Sequence, residues 1–83
     1  MSLNLHAPIM KVAYESYKTT GLNQVLVEDI LERTGLEDSL LEEQLNSLEN
    51  QGYIRLSHFY SDGTAAVFEI TPKGIYTFSR PAS

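Results

Sequence analysis

The chain has 83 residues, 42% of them apolar and 20% charged, with a formal net charge of -5 and no cysteine. That length holds one hydrophobic core and not two, and the apolar share is that of a folding protein and not of a disordered one. The composition excludes a disulfide framework and a thiolate metal site, its acidity weighs against phosphate as a partner, and no apolar run approaches the roughly 18 residues needed to span a bilayer.

From the N-terminus, Met1 to His6 lacks the basic and apolar stretches of an export signal, so a cytoplasmic protein is expected. Pro8 suits a first helical turn, and Ile9, Val12, Ala13 and Tyr17 recur at helical spacing; a helix is expected over about Pro8 to Thr19, stopped by Gly21. Asn23 to Leu26 reads as an extended link or short edge strand. Val27 to Thr34 forms a second helix, with Glu28 and Asp29 at its positive end, Arg33 near its negative end, and Ile30 and Leu31 facing inward. Gly35 breaks it, and Leu41, Leu45 and Leu48 then mark a third helix, capped by Asp38 or Ser39, with Ser39 and Glu42 at the spacing of a capping box. Two helices joined by a short glycine-containing turn make a helix-turn-helix.

Gly52 ends the third helix, and from Tyr53 to Ile70 the period changes to two. A two-residue loop at Asp62 and Gly63 would set Leu56 against Glu69 and Arg55 against Ile70. A three-residue loop, Ser61 to Gly63 with a left-handed glycine, pairs Leu56 with Phe68 and Ile54 with Ile70 inside, and Arg55 with Glu69 outside; this register is adopted. It turns Phe59 and Val67 outward and His58 toward the core. Thr71 and Pro72 read as an N-cap and first helical residue, opening a short helix to about Phe78. The expected fold class is α+β: three helices, a β-hairpin and a short C-terminal helix, in one domain over 1–83 with its core at about 8–78 and a loose tail at 79–83.

This order resembles the winged helix-turn-helix superfamily of transcription regulators, without indicating a subfamily. Three segments carry the resemblance: Val27-Glu28-Asp29-Ile30 through Thr34-Gly35-Leu36, Leu45-Leu48-Glu49 leading to Gly52-Tyr53-Ile54, and Ile70-Thr71-Pro72-Lys73-Gly74. The resemblance implies a third helix that enters the DNA major groove and a wing tip that meets the backbone or minor groove. Its recognition-helix positions fall near Ser39, Leu40, Glu42, Glu43, Gln44, Asn46 and Ser47, and its wing tip at Ser61 to Thr64; Arg55, Phe59, Asp62 and Val67 are candidate wing-surface residues.

The charges depart from the usual pattern. From Leu36 to Ile70 seven acids (Glu37, Asp38, Glu42, Glu43, Glu49, Asp62 and Glu69) stand against one base, Arg55, a balance of -6. Such a face forgoes the counterion release that supplies most non-specific DNA affinity. The function expected first is therefore a non-enzymatic recognition module whose acidic third helix and apolar wing face meet a protein partner or a second copy. DNA binding through the third helix and wing is the alternative. Leu40 reads either as a core-edge residue or an apolar contact, Phe59 and Val67 either as scattered surface residues or a partner patch, and the helix carboxylates either as a solvated face or an attractor for a basic partner. His6 and His58 do not make the three or four converging ligands of a metal site, and neither a nucleophile motif nor a phosphate-cradling glycine loop occurs; no catalysis, metal, cofactor or membrane contact is expected.

Overall fold

The computed structural model describes residues 5–79. Within them the chain runs α1 (His6–Thr20), β1 (Gln24–Leu26), α2 (Val27–Thr34), α3 (Asp38–Asn50), β2 (Ile54–Phe59), β3 (Ala65–Ile70) and α4 (Pro72–Ser79). These four helices and a three-stranded antiparallel sheet of order β1-β3-β2 form an α+β fold, consistent with a winged helix-turn-helix. Gly21 and Gly35 end α1 and α2 in the left-handed conformation, each donating its N–H to a carbonyl of the last turn. The link after α1 is the edge strand β1, paired through Val25 with Phe68. Of the tail expected at 79–83, Ser79 closes α4 and the rest lies outside the described residues.

The leucines of α3 face the core as their spacing requires. Leu41, Leu45 and Leu48 are buried with Ile9, Met10 and Ala13 of α1, Ile30 of α2, and Ile54, Phe68 and Ile70 of the sheet. The expected capping box does not form: Glu37 is the N-cap, it makes no side-chain cap bond, and Glu42 is turned to the hairpin instead.

The hairpin has the expected register at both ends. Ile54 pairs with Ile70, Arg55 with Glu69 and Leu56 with Phe68, and Gly63 has φ 90° in the loop closed by the Gly63 N–H to Tyr60 carbonyl bond. Between these ends lie two irregularities, one skipping Ser57 on β2 and one skipping Ala66 on β3. They correct the expected facing of one side chain. His58, expected to face the core, pairs with Val67 and is exposed, whereas Phe59 pairs with Ala65 as the adopted register implies and is 55% exposed, and Val67 lies on the outer face as expected. Because opposed residues share a sheet face, the outer face has two rows: Gln24, Glu69 and Arg55, then Leu26, Val67 and His58.

The Thr71-Pro72-Lys73-Gly74 segment fastens α4 to the joint between α3 and β2. Thr71 Oγ1 accepts from the Gly74 N–H as an N-cap and donates to the Gly52 carbonyl at 2.6 Å. Lys73 Nζ donates to the Gln51 carbonyl at 2.6 Å and lies 4.9 Å from the Tyr53 ring centroid. Gly74 lies inside α4, not at a helix end or turn; a Cβ there would run into the Tyr53 carbonyl oxygen.

Candidate functional site

With Leu41, Gln44, Leu45 and Leu48 buried, the opposite arc of α3 is exposed, and its residues are Ser39, Glu43, Asn46 and Asn50. Steps of four, three and four residues keep these on one line along the helix. The stripe joins one acid to three neutral polar side chains. Asn46 already donates from its amide to the Glu42 carbonyl at 3.0 Å. Asn50 was not among the residues singled out from sequence, although it follows Asn46 by one turn and Glu43 by two.

Gln44, expected on this surface, is only 5% exposed; its Oε1 accepts from the Leu5 N–H at 3.1 Å. The signal for this was present, because Gln44 stands between Leu41 and Leu48 within the leucine stripe. Leu40 and Ser47 are half-buried on one flank of α3, and Ser47 Oγ accepts from the Gln51 side-chain amide.

On the other flank, Glu42 and Glu49 are two turns apart and both serve the hairpin. Glu42 Oε1 accepts from the Ala65 N–H at 3.2 Å, and Glu49 Oε2 from the Leu56 N–H at 2.9 Å. Glu69 accepts from Arg55 at 3.0 Å across the outer sheet face. Glu42, Glu49 and Glu69 thus have structural tasks. Hydrogen bonding does not neutralise them, but their presence is explained without any partner. Glu37, Asp38 and Glu43 stand exposed on α3 and its entry, and Asp62 stands at the hairpin tip. Asp62 Oδ1 accepts from Thr64 Oγ1 at 2.7 Å and from the Thr64 N–H at 3.0 Å, which holds its carboxyl below the ordinary aspartate range.

Basic side chains are sparse around this face. Arg55 is paired with Glu69, Arg33 with Asp29, and Lys11 and Lys18 belong to α1. Lys73, tied to the carbonyl of Gln51, brings a positive charge to the residue that follows the α3 stripe.

A groove of about 370 Å³ lies between α2, the first turns of α3 and the far end of the hairpin. Val27, Leu31 and Ala65 form its apolar part, Tyr60 stands half-exposed beside it, and Asp38, Glu42 and Asp62 line it. Among the described residues no lysine or arginine does. Among the described residues no group of three or more metal-capable side chains occurs, and no helix is long and apolar enough to cross a membrane.

No protein-family model and no curated protein sequence matches the chain. A solved structure is similar to it: a crystal structure at 1.70 Å resolution from Ralstonia eutropha JMP134, described as a "putative DNA-binding protein", with 22% sequence identity, a TM-score of 0.73 and 89% of each chain covered. At that identity the likeness is one of fold.

Proposed function

We infer that the chain is a single-domain winged helix-turn-helix module that binds double-stranded DNA, with the Ser39, Glu43, Asn46 and Asn50 stripe of α3 in the major groove and the hairpin tip beside it as the wing. The observation that carries this reading is the stripe itself: it is exposed along one line of the helix that follows the α2 turn, and its side chains are of base-reading types. Asparagine pairs with adenine through N6 and N7, glutamate accepts from the cytosine amino group, and serine suits either. The fold likeness to a protein described as DNA-binding supports the same reading and favours it over the protein partner expected first.

The scarcity of cations shapes how such binding works. With Lys73 alone at the end of the stripe, few counterions are released, so affinity comes mainly from base contacts and falls gently with salt. The test is selection of duplexes from a random pool, followed by anisotropy titrations at two salt concentrations. Asn46→Ala should lower affinity for the selected sequence about 5- to 100-fold, as loss of a good base contact does, while mixed-sequence DNA is bound as before. Lys73→Ala should weaken both alike and reduce the salt slope by about 1. A pool that enriches no sequence would overturn the reading.

One observation favours a second reading, recognition of a protein: neither α3 nor the hairpin loop 60–64 carries a lysine or arginine. Under it, Glu43→Lys would not create DNA binding that competes with a partner; under the DNA reading the same change strengthens DNA binding by removing a repulsion and adding a phosphate contact.

A further inference from the structure

The groove between α2, α3 and the hairpin joins the apolar Val27, Leu31 and Ala65 to the acidic Asp38, Glu42 and Asp62, and of the DNA stripe it includes only Ser39. The geometry points to this groove as the seat of an arginine- or lysine-bearing segment of a partner protein, the basic side chain lying with its stem along Leu31 and Tyr60 and its cationic head among Asp38, Glu42 and Asp62. This goes beyond the DNA reading and does not rest on it.

The charge balance selects the occupant. Three carboxylates line about 370 Å³ with no lysine or arginine among the described lining residues, so an anionic ligand is repelled, a neutral one leaves their mutual repulsion in place, and a cation relieves it. Each carboxylate also has accepting capacity in hand. Glu42 commits only Oε1, to the Ala65 N–H. Asp62 commits only Oδ1, to Thr64, and that hydrogen bonding favours its charged form. Asp38 stands exposed in the first turn of α3.

The apolar part selects among cations. Leu31 is half-buried and Tyr60 is 47% exposed, which gives an alkyl stem a surface to cover and a guanidinium or ammonium a ring face to approach. A small hydrated cation uses neither, and a polyamine lacks the backbone that would pack beyond the groove.

The test uses the whole chain and a fluorescein-labelled peptide of alternating alanine and arginine, followed by anisotropy. Asp38→Asn with Asp62→Asn keeps side-chain shape and the acceptor for Thr64; it should weaken peptide binding about tenfold or more, as loss of close charge pairs does. Glu28→Gln with Glu32→Gln removes the same charge from α2 outside the groove and should change binding less than about twofold, since exposed charges there are screened. Tyr60→Ala, with an unchanged melting temperature, should weaken binding as well. Equal losses from the two charge pairs would reduce the effect to the general field of an acidic protein and overturn the proposal. So would absence of peptide binding, or displacement of the peptide by an equal concentration of spermine. DNA titrations run in parallel keep the two readings apart, because either can fail while the other stands.

Discussion

At the scale of single residues, the most constraining feature is a side chain that is missing. Gly74 allows α4 to lie directly on the Tyr53 carbonyl, so Gly74→Ala, ordinarily favourable in a helix, forces the helix off the joint it closes. We expect a loss of about 1 to 3 kcal/mol, the usual cost of overpacking, measured by chemical denaturation. An unchanged midpoint would show that α4 is not seated there. Glu49 makes a second prediction of this kind. Glu49→Leu strips the Leu56 N–H of its acceptor and should cost about 1 to 3 kcal/mol, whereas Glu49→Gln keeps an acceptor and should cost less. Equal losses for both would argue that charge, not the amide contact, is what α3 supplies. Asp62 adds a pH dependence of known sign. Its carboxyl titrates lower in the folded than in the unfolded chain, so what the Thr64 bonds contribute to the hairpin tip is present above the unfolded value and is lost as pH falls through the folded one.

At the scale of elements, Leu45 shows how much rests on one helix face. It is fully buried against α1 and the sheet, and Leu45→Ala should cost about 2 to 5 kcal/mol, much of what so small a protein has. A melting curve like that of the unaltered chain would mean that α3 packs on another face. The element plan was legible in the sequence because each signal was local: glycines after helical stripes, Thr71-Pro72 before another, and Arg55 and Glu69 whose charges admit one register. The hairpin's two irregularities were not legible. Ser57 is skipped on one strand and Ala66 on the other, so Phe59 and Ala65 return to the register of an uninterrupted hairpin, and no spacing betrays the detour. Only the facing of His58 changes. The carboxylates were misread for a different reason. Their targets, the amides of Leu56 and Ala65, lie 7 and 23 residues away, beyond what a helix-face reading considers.

At the scale of the whole molecule, charge and shape pull in different directions. The acids that made a protein partner the first expectation are in part the tethers holding the hairpin to α3. What remains outward on the helix is a polar line with one carboxylate, Glu43, and Asp38 exposed in the first turn beside it. The acidic groove shares Ser39 with that line and Tyr60, Asp62 and Thr64 with the hairpin tip, so a seat for a basic segment adjoins the base-reading edge. Such an arrangement would let a partner supply the positive charge that the stripe lacks. The central claim, that the α3 stripe meets DNA, is tested most directly by following backbone and side-chain amides in nuclear magnetic resonance spectra as a selected duplex is added. The account predicts that the side-chain amides of Asn46 and Asn50 move together with the backbone signals of Ser39, Glu43 and the hairpin loop 60–64; signals that stay in place there while α1 or the outer sheet face responds would contradict it.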